Sequence, residues 1–204
     1  MIAIIDYGLG NLRSVAGAVA RLGGTPLITS RIADLERAEK LILPGVGAFG
    51  DGMTKLARLG LVDALTRIVI EQRRPILGIC LGAQLMAEES DEFGRHQGLG
   101  WIRAHVRRIA PRDPGLRVPH VGWNEMRQLT SSALFTGVPD GALFYFVHSY
   151  QICCDDAAMV IGTCEYGEQI TAVLQRDNLY GTQFHPEKSQ RHGLSLLDNF
   201  LKDG

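Results

Sequence analysis

An α/β fold, with a mostly parallel open sheet, helices on both faces and some antiparallel strands, is what this chain of 204 residues predicts. Three observations lead there. Over the first ninety residues, short apolar runs alternate with longer helical patterns, which is the rhythm of βαβ units. Those runs show no polar alternation, as expected of strands covered on both faces. The second half is richer in β-branched and aromatic stretches broken by turn signals.

The elements follow in order. Ile2 to Ile5 is an apolar first strand, closed by Asp6. Asn11 to Leu22 opens on a capping residue and ends before Gly23-Gly24, which predicts a helix. Pro26 to Thr29 reads as a second strand and Ile32 to Ala38 as a short helix. Lys40 to Leu43 is a third strand, stopped by Pro44. Gly52 to Gln72 carries one or two helices, broken near Gly60. Pro75 to Ile79 is a fourth strand, and Leu81 to Glu89 a helix after it. Further on, Val106 to Ile109, Phe144 to Ile152, Met159 to Cys164, Thr171 to Leu174 and Tyr180 to Phe184 read as strands. Arg176-Asp177-Asn178 reads as a hairpin connection, and Ser189 to Leu201 as a closing helix. No repeat, linker or low-complexity tract divides residues 1–204, and the length suits one domain with a full core.

Composition excludes several functions. Net charge is −1, so no basic field draws nucleic acid or an anionic membrane. No apolar run approaches the roughly 18 to 20 residues of a membrane span. The N-terminus lacks the basic start and small-residue cleavage site of a signal peptide. The cysteines are Cys80, Cys153, Cys154 and Cys164, with no C-x-x-C repeat or Cys/His cluster, so neither zinc nor any other metal is implied. Four free thiols in a reducing cytoplasm are expected, three of them acting as small buried hydrophobes.

Cys80 differs because of its neighbours. Gly78-Ile79-Cys80-Leu81-Gly82 has the form G-x-C-x-G between a strand and a helix, the cysteine version of a nucleophile elbow. The helix starting at Leu81 turns free N–H groups and its positive end towards the thiol, which favours thiolate. The Leu81 N–H can also hold an oxyanion. A base is needed. His185 ends a strand and is followed by Pro186 and Glu187, so positions 185 and 187 face the same way and the carboxylate can orient the ring. Both His185 and Cys80 sit at C-terminal strand ends, where open α/β sheets gather ligands. Of the other histidines, His96 and His192 read as solvated, His105 as part of a strand, and His120 and His148 as packed and structural. The loop PGVGAFGDG, Pro44 to Gly52, matches neither a Walker loop nor a dinucleotide fingerprint; backbone N–H groups aimed at an oxyanion suit it better.

With these residues in hand, the sequence resembles the class I (triad) glutamine amidotransferases. GICLGAQ and QFHPE are that family's most specific motifs. IIDYGLGNLRSV, LPGVGAFGDGM, VPHVGWNE, YFVHSY and FHPEKS resemble the branch of glutaminase subunits that serve imidazole glycerol phosphate synthase, and they span the whole chain. The resemblance implies a flavodoxin-like sheet and a Cys80-His185-Glu187 triad that hydrolyses glutamine through a glutamyl thioester. It implies an oxyanion hole from Leu81 and the Val46-Gly47 segment, and glutamine contacts from Gln84, Glu92, Ser149 and Tyr150. It implies no cofactor. The partner it implies is a (β/α)8-barrel cyclase that takes the ammonia, in a heterodimer, with Trp123, Asn124, Tyr145 and Lys188 at or near the interface and its signalling path. A paralogous glutaminase that feeds a different synthase, such as one amidating a sugar, would carry the same triad.

Overall fold

The four apolar runs of the first half form strands β1 (Ile2–Ile5), β2 (Pro26–Thr29), β3 (Lys40–Gly45) and β4 (Ile76–Cys80) in a computed structural model that describes residues 1–203. Between them run α1 (Leu12–Arg21), α2 (Ile32–Arg37), α3 (Phe49–Arg58) and α4 (Leu61–Thr66). The last of these passes into a π-helical turn at Arg67–Glu71. Gly60, at φ +64, separates α3 from α4 as its position predicts. After β4 come α5 (Leu81–Gln84), β5 (Ala87–Ser90), β6 (His96–Gln97), β7 (Ile102–Arg108), β8 (His120–Gln128), β9 (Ala142–His148) and β10 (Tyr150–Cys154). The chain continues through β11 (Val160–Glu165), β12 (Gln169–Arg176) and β13 (Leu179–Thr182) to α6 (Gln190–Asp203).

A nine-stranded sheet in the order β2-β1-β3-β4-β13-β12-β11-β8-β9 forms the frame. From β2 to β13 every pairing is parallel; from β13 to β9 every pairing is antiparallel. The antiparallel part therefore matches the parallel part in extent. Four further strands, in the order β10-β7-β5-β6, form a second sheet that touches the first where the Thr171 N–H of β12 donates to Gln151 of β10. Alternate residues of the parallel strands feed two cores, as a period of two requires. Ile2 and Ile4 join Val15 and Val19 of α1 and Leu197 and Phe200 of α6. Ala3 and Ile5 join Leu35, Leu56 and Leu65 of α2, α3 and α4. Each fully buried Val, Leu or Ile side chain among these contributes about 1.5–3 kcal/mol.

Several boundaries differ from the sequence expectation, each for a physical reason. Strand β3 continues through Pro44 to Gly45. Leu41 N donates towards β4, so two-residue alternation turns position 44 towards β1, whose pairing has already ended at Ile42. A missing N–H costs nothing there. The helix expected over Leu81 to Glu89 is only four residues long. Residues 98–102 donate backbone bonds to the carbonyls of Leu85, Met86, Ala87 and Glu88, and this draws the segment into β5. The stretch from Phe144 to Ile152 divides at Ser149 into β9 and β10, which belong to different sheets. Strand β8 was not foreseen, and β7 begins earlier than expected. The hairpin is as predicted: Arg176 pairs with Leu179, and Asp177 takes the positive φ of +51 that a tight two-residue turn needs.

The contact between α5 and β3 yields a test. A Cβ on Gly82 would stand 1.7 Å from the Leu43 carbonyl oxygen, whereas one on Gly17 in α1 would meet nothing within 4 Å. Urea unfolding should show Gly82→Ala destabilised by about 3 kcal/mol or more. Gly17→Ala should be stabilised by roughly 0.5–1 kcal/mol.

Candidate active site

Cys80 ends β4 and caps α5 with φ +53 and ψ −111, a conformation costly for any residue with a side chain. Its glycine neighbours make the turn possible by closeness. A Cβ on Gly78 would come 2.6 Å from the Ala83 Cα, and Gly82 lies against the Leu43 carbonyl. The sulfur is buried. Gln183 Nε2 lies 3.6 Å from Sγ, and Sγ points at the Val147 carbonyl 3.9 Å away. Because α5 is a single turn, the dipole anticipated from a longer helix is reduced, and the local donor is the Leu81 N–H itself.

The histidine arrives on the neighbouring strand. β13 runs parallel to β4 with Thr182 opposite Ile79, so the chain leaving β13 passes the same sheet end as Cys80. His185 Nδ1 lies 2.9 Å from Glu187 Oε1, and their side chains are 2 % and 1 % exposed. Among the described residues its Nε2 has no partner. Burial pushes the imidazole towards the neutral form, but Cys80 and Glu187 outweigh it and raise its pKa to about 9. The ring can thus hold a proton given up by a nearby nucleophile.

Cys80 and His185 open on one cavity of about 260 Å³. The predicted oxyanion residues Val46, Gly47 and Leu81 line it, and so do Gln84, Glu92, Ser149 and Tyr150. Glu187 stands behind His185 and does not line it. Glu92, and not exposed Asp91, turns inward, where Oε2 accepts the Phe49 N–H at 2.7 Å. Burial raises its carboxyl pKa despite that bond. Gln84 spends both N–H bonds internally, on the Tyr150 carbonyl at 2.9 Å and Gln183 Oε1 at 3.0 Å. What it can offer a ligand is its carbonyl oxygen. Gln183 itself was missed in the sequence; it lies inside QFHPE, two residues before the more conspicuous histidine.

The glutamine amidotransferase class-I family model matches residues 3–203. The chain belongs to the class-I glutamine amidotransferases. Among curated proteins, this amidotransferase is 49 % identical to the imidazole glycerol phosphate synthase subunit HisH of Moorella thermoacetica, with 98 % of this chain and 93 % of that protein covered. It is 46 % identical to a subunit HisH 2 of Nitrobacter winogradskyi, over 98 % and 97 % of the two chains. Among solved structures, PurLQS from Thermotoga maritima superposes with a TM-score of 0.74 at 16 % identity, over 98 % of this chain and 96 % of that one, a likeness of fold.

The remaining predicted residues lie outside the amidotransferase cavity. Trp123 and Tyr145 face each other across β8 and β9, with ring centroids 5.9 Å apart, and Lys188 Nζ sits 5.9 Å from the Tyr145 ring. Asn124 differs: strand alternation turns it away from exposed Trp123, and its side chain bonds the Glu165 carbonyl at 2.9 Å. The other cysteines are unpaired, and burial lifts the pKa of Cys154 and of Cys164 to about 12, which leaves both inert at neutral pH. Among the described residues no helix is long and apolar enough to cross a membrane.

Because Cys80 and Glu187 both raise the His185 pKa, removing either should lower it. An NMR titration of the His185 ring in Cys80→Ala and in Glu187→Gln should give midpoints below about 9, with deprotonation beginning at lower pH than in the parent. An unchanged midpoint would mean that the three side chains are not electrostatically linked.

Proposed function

We propose that the chain is the glutaminase subunit of an imidazole glycerol phosphate synthase. The observation that carries this reading is a strained, glycine-flanked cysteine sharing one cavity with a carboxylate-bound histidine. The full-length relatives bearing that subunit's name, 43 % to 49 % identical, support the choice within the family.

The chemistry follows from the placement. His185 Nε2 takes the Cys80 proton, and the thiolate attacks the side-chain amide carbon of glutamine. The Leu81 N–H and an N–H of the Val46-Gly47 segment hold the developing oxyanion. Collapse of the tetrahedral adduct breaks the C–N bond, and the proton on His185 leaves with ammonia. Water, deprotonated by His185, then attacks the thioester and releases glutamate and the Cys80 thiol. Glu187 keeps Nδ1–H occupied, so that Nε2 is always the working nitrogen. The Gln84 carbonyl and the Glu92 carboxylate suit the α-ammonium of the substrate, with Ser149 and Tyr150 forming the adjoining wall.

Ammonia is useful only if captured, and a partner is the natural recipient. Val121, Trp123 and Leu143 are exposed together on the β8–β9 face. With Tyr145 and Lys188 they form an apolar patch with a cationic rim, suited to a (β/α)8-barrel cyclase in a heterodimer. The cyclase would use the ammonia to form imidazole glycerol phosphate and aminoimidazole carboxamide ribotide in histidine biosynthesis. Unpaired cysteines suit the cytoplasm.

Glutamine hydrolysis by the purified chain should be low alone, rise strongly with the cyclase and its acceptor nucleotide, and vanish in Cys80→Ala. High activity alone would point to a free-standing hydrolase, and indifference to the cyclase would point to a different synthase. Calorimetric titration of the cyclase should show Trp123→Ala bound roughly 30-fold more weakly, the loss of a central aromatic anchor.

A further inference from the structure

Two buried histidines, His120 on β8 and His148 on β9, lie opposite each other in the strand register. Their rings meet edge-on, with His120 Nδ1 3.0 Å from His148 Nε2. His120 is stacked between Phe146 and Tyr166, at 4.8 Å and 3.9 Å between centroids. His148 also lines the cavity that holds Cys80. The hydrolytic chemistry uses neither ring.

The proton positions in this pair follow from both ends. At the outer end, Asn124 Oδ1 accepts the Glu125 N–H at 2.8 Å, and Nδ2 donates to the Glu165 carbonyl at 2.9 Å. The amide cannot be flipped without opposing two donors and two acceptors. Its second N–H points at His120 Nε2, 3.3 Å away, which must therefore be an acceptor. A neutral His120 then carries its proton on Nδ1 and donates to His148 Nε2. At the inner end, His148 Nδ1 faces the Tyr150 carbonyl at 2.9 Å, an acceptor only, and so must carry the proton. The two ends independently demand the same arrangement, with both rings neutral and both protonated on Nδ1. Burial, the main cause, and neighbouring histidines lower both pKa values to about 4, which keeps the rings neutral at physiological pH.

The chain of bonds continues to the nucleophile. The Tyr150 carbonyl takes a second bond from Gln84 Nε2, whose other N–H goes to Gln183 Oε1. Gln183 Nε2 in turn lies 3.6 Å from Cys80 Sγ. We propose that His120 and His148 are positioning residues for glutamine: through a one-way series of hydrogen bonds from Asn124, they fix the Tyr150 carbonyl, and with it the side chain of Gln84 that faces the substrate. This rests on the glutaminase reading given above. A flipped tautomer in either ring would set lone pair against lone pair at one link and release the Tyr150 peptide and Gln84 together.

The test has two arms. Nitrogen-15 NMR of histidine-labelled wild-type chain at neutral pH should show Nδ1 protonated and Nε2 bare in both rings. A proton on Nε2 of either ring, or an imidazolium, overturns the proposal without reference to activity. In the complex with the cyclase, Asn124→Ala and His120→Gln should each raise the KM for glutamine about two- to tenfold with kcat within about twofold, the scale of one hydrogen bond. The double variant should be no worse than the poorer single one. His148→Asn, whose Nδ2 stands where Nδ1 does, should keep a lower KM than His148→Ala. Additive effects, or a fall in kcat at unchanged KM, would overturn the positioning role. Wild-type complex that leaves glutamine untouched would sink the glutaminase reading and the glutamine role together, while the ring tautomers would still judge the bonding scheme.

Discussion

The approach of Gly82 to the Leu43 carbonyl is the contact on which the site depends. It clamps the start of α5 onto β3 while β4 runs alongside, and Cys80 is left to absorb the bend in a positive-φ conformation. Such a conformation costs on the order of 1–3 kcal/mol and persists only where packing on both sides allows no alternative. Here Gly78 against Ala83 and Gly82 against Leu43 supply that packing. The direction of α5, the placement of the Leu81 N–H and the reach of Gln84 into the cavity all follow from this bend. The position of Cys80 is thus set by backbone geometry before any side chain is considered.

His185 is tied to β9, the edge strand at the antiparallel end of the main sheet. The His185 N–H donates to the Tyr145 carbonyl at 3.0 Å. The Tyr145 N–H donates to Ser189 Oγ at 3.0 Å, and that hydroxyl donates to the His185 carbonyl at 2.6 Å. Tyr145 therefore holds the backbone of His185 from both sides while its ring belongs to the exposed β8–β9 face. A surface suited to a partner and the backbone of His185 thus meet at a single residue. The Val147 carbonyl, on the same strand, is the group that Sγ of Cys80 faces.

Much of this was legible in the sequence, and what was not has identifiable causes. The βαβ rhythm and the elbow at Cys80 are local patterns that survive folding; His185 and Glu187 do meet, but through a 3-10 turn at Pro186–Lys188 and not through the extended segment expected, because β13 ends at Thr182. The end of α5 was not local: Leu85 to Glu88 has reasonable helix propensity, yet the backbone donors of residues 98–102 claim its carbonyls. Pro44 misled for a similar reason, since its harmlessness depends on where β1 stops pairing. Strand β8 carries Gly122 and exposes Val121 and Trp123, so its pattern resembles an irregular loop until β9 pairs with it. In the sequence, His120 and His148 read as packed and structural. Their burial bears that out, but the bonds that give them direction join residues up to 41 positions apart in the chain. Gln183 was hidden by the company it keeps.

The strand order also governs when the site can exist. β13 is inserted between β4 and β12, in the interior of the main sheet, and the chain leaving it supplies His185. Cys80 leaves the ribosome well before β13, its neighbour in the sheet. Until β13 docks, β4 has an open edge, and the thiol has neither Gln183 nor His185 beside it. A chain that still lacks β13 thus carries the strained cysteine without the histidine that later lies beside it.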